Sequence, residues 1–305
     1  MRHLVDVNVT LRCNRCMTAS YRSVFRPGLF ARQTIWVTGG GSGIGRCTAH
    51  ELASLGARVL ISGRKAEKLQ QVAAEIREDG GLVETLCFDI RDEDAVKAGV
   101  SQAVDSWGPI AGLVNNAGGQ FPSPLSAISK RGFDAVVANN LTGGFLMMRE
   151  LFERSMEKHG GAVVNMTADF RNGMPGMAHS GAARAGMDNL TKTAAFEWGH
   201  AGVRVNAVAP GWIASSGMDS YGPAMKPLIA RLKDHVPLKR MGLEAEVSAA
   251  IVFLLSPAAA FITGVTLRID GGAPLGNAVF PLSAAKNNAP FDGFHRASTP
   301  QALKP

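Results

Sequence analysis

From residue 34 onward the chain alternates short apolar runs with longer stretches in which apolar side chains recur every three or four residues. The run at 34–38 ends in glycines, and 47–55 has helical spacing, so this part opens strand, glycine turn, helix. The same reading predicts strands at 58–62, 82–88, 111–115, 162–166, 204–208 and 266–269. Helices are predicted at 66–79, 93–106, 138–158 and 181–199. Short apolar strands separated by helical segments are the mark of parallel βαβ units, because an apolar strand must be buried on both faces and a right-handed crossover places a helix over each. The expected fold is a single α/β domain of Rossmann type over 34–275, a doubly wound parallel sheet with helices on both faces. Residues 276–305 form a tail that carries no readable pattern.

The chain has 305 residues, of which 46% are hydrophobic and 19% charged, enough for one buried core and without a signature of disorder. The formal charge of +7 is spread along the chain with no sustained basic run, so nucleic acid is not an expected partner, and a cleft for an anionic small molecule accounts for the same balance. No apolar run reaches the roughly 18 residues of a membrane span, so the protein is expected to be soluble, with no membrane partner and a cytoplasmic location. The four cysteines, Cys13, Cys16, Cys47 and Cys87, are too few for a disulfide framework and point to a reducing compartment. Cys13 and Cys16 lack a second pair, so no metal is expected. The first 33 residues hold six arginines and one acid, Asp6, and read as a leader outside the fold. They are either an organellar presequence, which would make the location mitochondrial, or translation from a start upstream of Met17, the reading preferred here.

Candidate chemistry begins at Thr38-Gly-Gly-Gly-Ser42-Gly43-Ile44-Gly45, which closes the first strand and opens the first helix. In that context glycines let the backbone turn tightly and approach a pyrophosphate, whose charge meets the helix N-terminus. An acid at the end of the second strand would favour NADH and a cation NADPH. The sequence there is Ile61-Ser-Gly-Arg64-Lys65, so Arg64, with Arg46 just past the glycine turn, favours NADPH over NADH.

Further signatures follow in order: Thr38-Gly39 with Gly43 and Gly45, Asp89-Ile90, Asn115-Asn116-Ala117-Gly118, Asn140-Leu-Thr-Gly143 and Pro210-Gly211. Together they resemble the short-chain dehydrogenase/reductase family from about residue 34 to 272. The resemblance implies that Asp89 and Ile90 border the adenine, that Asn116 to Gly118 close the central strand, and that Ile213 and Ser215 lie at the nicotinamide. It also implies a structural role for Asn140, which bends its helix. Thr167 stands where the family orients its substrate with serine.

Most of that family uses a Tyr-x-x-x-Lys pair for proton transfer. The corresponding residues here are Ser180 and Arg184, in Ala178-His179-Ser180-Gly-Ala-Ala-Arg184. A serine hydroxyl is a far weaker acid than a phenol, and arginine keeps its proton, so ordinary alcohol chemistry loses its acid/base. The chain's two tyrosines are Tyr21 in the leader and Tyr221 in the stretch that covers substrate in the family, and neither is expected to substitute. Arg184 can still hold the nicotinamide ribose.

A site with orientation and oxyanion stabilisation but no strong acid suits hydride addition to an α,β-unsaturated thioester, in which charge develops on the carbonyl oxygen. Gly119-Gln120-Phe121, the run at 179–186, Tyr221-Gly222 and the run at 254–264 resemble the peroxisomal trans-2-enoyl-CoA reductases. The related 2,4-dienoyl-CoA reductases also place serine where tyrosine is expected. The resemblance implies NADPH-dependent reduction of an enoyl-CoA in fatty acid metabolism, with Asn140, Thr167, Ser180 and Arg184 arranging the site, and Gln120, Phe121 and Tyr221 near a small-molecule or acyl-CoA substrate. It also implies a homotetramer packed through the two long helices. Departures are the C-terminal Leu-Lys-Pro, which is no peroxisomal address, and Asp188, expected to pair with Arg184 across one helical turn. Asp169 is left without a role, and His179 is read as a packed helix-start histidine ahead of an acid. Two rivals stay open: an NAD(P)-dependent oxidoreductase acting on terpenoid-like alcohols or aldehydes, and a non-catalytic NADPH-binding scaffold.

Overall fold

The computed structural model describes residues 20–222, 225–275, 282–284 and 287–304. Seven parallel strands form one sheet in the order β3-β2-β1-β4-β5-β6-β9. They are β1 Thr34–Thr38, β2 Arg58–Gly63, β3 Leu82–Cys87, β4 Ile110–Asn115, β5 Gly161–Met166, β6 Val203–Pro210 and β9 Thr266–Ile269. The helices α1 Gly43–Ser54, α2 Ala66–Glu78, α3 Glu93–Trp107, α7 Ala178–Trp198 and α9 Glu244–Leu255 cover its two faces. Helices α4 Lys130–Val137, α5 Gly143–Leu151 and α6 Glu157–His159 run end to end through π-turns at Ala138–Thr142 and Phe152–Met156. A short pair, β7 Ile213–Ala214 with β8 Gly242–Leu243, and the helix α8 Lys226–Arg231 stand above the carboxyl ends of the strands.

The apolar alternation explains the layers. One core packs Ile35, Val37, Val59 and Ile61 against α1, α2 and α9, and the other packs Trp36, Leu60, Leu113 and Val163 against α3, α5 and α7. The strand order reverses between β1 and β4, and in an open parallel sheet this switch point opens a crevice at the carboxyl ends. Every predicted strand and helix is present, most within a few residues; the helix expected at 138–158 starts eight residues earlier, at Lys130, and α8 and α9 are additional helices.

The expected boundary at residue 34 does not hold for the residues described. Phe30 is 1% exposed in the first core, and Tyr21 is 7% exposed, donating its hydroxyl to Glu51 at 3.1 Å. Tail residue Phe294 packs 5.7 Å from the Tyr21 ring. Leader and tail therefore meet each other over α1, because each carries an aromatic side chain that needs cover. Met17, Cys13 and Cys16 lie outside the described residues.

Candidate active site

The glycine turn forms as the spacing predicts, and its glycines are sterically required. A Cβ on Gly45 would stand 2.4 Å from both Asn116 Nδ2 and the Gly39 carbonyl oxygen, so the β4 end and the turn close up only on a bare backbone. Thr38 locks them together: its hydroxyl accepts the backbone N–H groups of Asn116 and Ala117, each at 3.0 Å, while Asn116 Nδ2 donates to the Thr38 carbonyl at 2.9 Å. Ser42, at the N-terminus of α1, makes no side-chain capping bond, which leaves the first N–H groups of that helix open to a ligand.

Above the turn lies a cleft of about 350 Å³ lined by Gly39, Ser42, Gly43, Ile44, Arg64, Asp89, Ile90, Asn116, Ala117, Gly118 and Ser215, all anticipated from the sequence. Lys65, Lys68, Phe88, Asn139 and Gly217 also line it. Lys68 was legible in principle, since it stands one helical turn beyond Arg64. Thr38 and Gly45 lie beneath the cleft floor. Pro210, Gly211 and Ile213 do not line the cleft; Pro210 ends β6, and Gly211 fits against Asp270, where a Cβ would lie 2.8 Å from its Cα.

The cation pattern differs from expectation at one position. Arg46 does not face the cleft: its guanidinium pairs with Glu75 at 2.7 Å, lies 5.0 Å over the Phe294 ring and reaches the Arg296 carbonyl. A tail aromatic and an α2 acid have taken it. Asp89, the acid nearest Arg64 on the cleft wall, is bound in a fork by Arg91, whose hydrogen bonds hold its carboxyl below the usual range, with Arg64 adding to the effect. The open mouth therefore presents Arg64, Lys65 and Lys68.

Deeper in, Asn140 sits in the π-turn, where one extra residue per turn bends the helix and aims the side chain at β4. It clasps a single residue through the two peptides that flank it: its Oδ1 accepts from Gly119 N–H at 3.0 Å and its Nδ2 donates to the Gly119 carbonyl at 2.8 Å. Gly118 leaves room for this, since a Cβ there would lie 2.5 Å from Asn140 Oδ1 and 2.8 Å from Arg184 Nη2.

Arg184 is 8% exposed, donates from Nη1 to the Met166 carbonyl at 2.5 Å, and has no hydrogen-bond partner at Nε among the described residues. The expected pair with Asp188 is not formed. Asp188 instead binds Lys192 and Thr266, both at 2.5 Å, because β9 and the next turn of α7 lie on its side of the helix. Burial without an acid pushes the Arg184 guanidinium down to about 10. It remains charged at neutral pH, a buried cation uncompensated by any described carboxylate.

The hydroxyls are more committed than the sequence suggests. Thr167 Oγ1 donates to the Val208 carbonyl at 2.9 Å, so it can accept from a substrate but has no hydrogen to give. Ser180 is fully buried and donates to Gln120 Oε1 at 2.5 Å; Gln120 Nε2 in turn donates to the Tyr221 hydroxyl at 3.1 Å. The three residues come from α7, the loop after β4 and the segment after β7, and the structure joins them in one chain. His179 is buried edge-on to Phe121, with ring centroids 4.5 Å apart, and its Nδ1 accepts the Ser180 N–H, the packed arrangement expected of it. Burial pushes the Asp169 carboxyl up.

Beside Tyr221 lies a second cavity of about 600 Å³, walled by Trp212, Met225, Leu228, Ile229 and Leu232 on one side and by residues 122–124 and 175–177 on the other. The sequence reading did not find it. The available signal was the amphipathic spacing of 225, 228, 229 and 232. Among the described residues no helix is long and apolar enough to cross a membrane.

The cradle, the open helix N-terminus and the cation-lined mouth fit a dinucleotide, and comparisons with known proteins agree with the class. A family model described as enoyl-(acyl carrier protein) reductase matches residues 39–274. The chain is 35% identical to a peroxisomal 2,4-dienoyl-CoA reductase of Pongo abelii over 92% of this chain and 94% of that one. It is also 36% identical to a glucose 1-dehydrogenase of Gluconobacter oxydans over 81% and 93% of the two chains. Among solved structures it is similar to a citronellol catabolism dehydrogenase of Pseudomonas aeruginosa PAO1, with 62% identity, a TM-score of 0.76, and coverage of 83% of this chain and 99% of that one. The chain is an oxidoreductase of the short-chain dehydrogenase/reductase family.

Proposed function

We propose that the chain reduces a conjugated carbon–carbon double bond of an acyl-CoA thioester with NADPH. The observation that carries this reading is the buried Arg184 guanidinium, which has no carboxylate partner among the described residues, on the helix whose family tyrosine position is Ser180. Such a site stabilises developing negative charge well and moves a proton from that helix poorly. Hydride addition to an unsaturated thioester needs the first more than the second, because electron density flows to the thioester oxygen. The 2,4-dienoyl-CoA reductases among the relatives support the same class.

NADPH, bound along the cleft, would supply the hydride. The chain's own residues set the geometry. Asn140 fixes the backbone of Gly119 on both its N–H and its carbonyl, and with it the loop that carries Gln120 and Phe121. Thr167 offers an acceptor at the end of β5, and Arg184 places positive charge beneath the reacting group, where a low dielectric and the absence of a neutralising acid increase its effect. Arg64, Lys65 and Lys68 at the mouth support NADPH as the cofactor, since no free acid there would select NADH. The apolar cavity beside Tyr221 would take the acyl chain. Exposed Phe145 on α5 and Phe196 on α7 fit the tetramer expected of the family, which sedimentation equilibrium would test.

A second reading, oxidoreduction of a terpenoid-like alcohol or aldehyde, is favoured by the 62% identity to the citronellol catabolism dehydrogenase. NADPH oxidation followed at 340 nm with crotonyl-CoA, a longer trans-2-enoyl-CoA and a 2,4-dienoyl-CoA, beside citronellol with NADP and an aldehyde panel, separates the two. Turnover confined to alcohols and aldehydes refutes the thioester reading.

A further inference from the structure

The serine and threonine hydroxyls around the reacting position have their hydrogens already committed, and the arginine cannot release one. Ser180 gives its hydrogen to Gln120 and Thr167 gives its own to the Val208 carbonyl. Asn140 is bound to both the N–H and the carbonyl of Gly119, and arginine does not deprotonate in this range. Two hydrogens near the site are left without an acceptor among the described residues: that on His179 Nε2, buried edge-on to Phe121 with its Nδ1 accepting the Ser180 N–H, and that of the Tyr221 hydroxyl, which of the two alone lines the apolar cavity. Its oxygen accepts from Gln120 Nε2, and its ring lines the mouth of the apolar cavity.

We propose that Tyr221 is the proton donor of the reaction, with Gln120 as its positioning residue and Ser180 as the anchor of that amide. The phenol that relatives carry on the catalytic helix is thereby supplied from the segment that covers the substrate, two hydrogen bonds and one amide away from Ser180. This rests on the thioester-reductase reading. The hydride from NADPH forms a C–H bond at the β carbon, or at the far end of a conjugated diene, and the electron pair moves onto the thioester oxygen as an enolate. The α carbon then takes the Tyr221 proton. The Gln120 N–H stabilises the phenolate left behind, since a hydrogen bond to a charged form favours it. Solvent reprotonates the partly exposed ring, so each turnover consumes one hydride and one solvent proton.

The experiment compares the full-length wild type with Tyr221→Phe and Gln120→Glu on crotonyl-CoA and a 2,4-dienoyl-CoA. It reads kcat, KM, the pH profile, NADPH affinity by fluorescence, and deuterium uptake at the α carbon in D2O. Tyr221→Phe keeps the ring and its packing; kcat is expected to fall by about 10²-fold or more with NADPH affinity unchanged and the solvent isotope effect increased. Gln120→Glu places a carboxylate against the phenolate, so its rate should drop relative to wild type as pH rises, a change that loss of packing alone would not produce. A Tyr221→Phe enzyme with wild-type kcat and isotope effect, beside an active wild type, overturns the proton-donor assignment and leaves the reductase reading standing. If the wild type turns over only alcohols or aldehydes, the reductase reading fails, and the same variants on those substrates decide whether Tyr221 moves the proton there. No turnover on either class overturns both.

Discussion

Replacing Arg64 with alanine isolates the choice of cofactor. The side chain stands at the carboxyl end of β2, exposed, on a cleft wall shared with Lys65 and Lys68. An exposed ion pair contributes only about 0–1 kcal/mol, whereas a hydrogen bond to a charged group contributes about 1.5–3 kcal/mol. A guanidinium fork on a dianionic phosphate at a wet site falls between, at about 1.4 kcal/mol, which is about tenfold in affinity. Arg64→Ala should therefore weaken NADPH about tenfold and leave NADH unchanged, since NADH has nothing for that cation to bind. Removing Lys68 as well should bring the loss toward about 10²-fold if the two contributions add.

The assay is fluorescence titration with both dinucleotides at two ionic strengths, since an exposed contact weakens as salt shortens the screening length. Arg46→Ala is the informative companion. Sequence position alone makes it a second phosphate ligand, but its guanidinium belongs to Glu75 and Phe294. It should lower the thermal midpoint without changing the NADPH-to-NADH ratio. Equal losses for NADPH and NADH in Arg64→Ala, no loss at all, or a ratio shifted by Arg46→Ala would refute the assignment of the phosphate site to the mouth of α2.

Three further outcomes follow from the same structure. Arg184→Met should lower kcat by about 10²-fold or more, as the loss of an oxyanion-stabilising group does. Apo stability should be held or raised in that variant, because an apolar side chain replaces a buried cation that has no acid partner among the described residues, and thermal melts beside initial rates check both. Glu244 starts α9 close to the glycine turn, its Oε1 3.8 Å from where a Cβ on Gly43 would sit, and burial pushes its carboxyl up to about 7. It is mostly protonated below that pH and ionises above it, so NADPH affinity should fall about fivefold as pH rises from 6 to 8, the scale of one screened charge near a pyrophosphate. Glu244→Gln should flatten that dependence in titrations across the range. Phe294→Ala should cost about 3 kcal/mol in denaturant unfolding by emptying the contact among tail, Tyr21 and His50. A tail that does not belong to the fold would show no loss.

The fold was legible because the periodicities of strand and helix are local properties of the chain, and the glycine turn because its conformation is dictated by the absence of side chains. Helix α9 escaped the pattern for the opposite reason. It packs beside α1 and against the sheet, burying Val247, Ile251, Val252, Leu254 and Leu255, so it is apolar nearly all round and presents no stripe. Partner choice was the least legible quantity. The spacing of Arg184 and Asp188 satisfies the one-turn rule, yet β9 brings Thr266 to Asp188 and leaves Arg184 with no acid among the described residues, and a tail phenylalanine more than two hundred residues away captures Arg46. The Ser180, Gln120 and Tyr221 chain belongs to the same class: its members lie 60 and 101 residues apart in pairs and converge only because the loop after β4 and the segment after β7 meet over α7. Backbone-determined features can thus be read from one strand or helix at a time. The charge state and proton supply of the site are decided where segments from different units of the sheet meet, so a sequence lacking its expected tyrosine is not thereby a sequence lacking a phenol at the site.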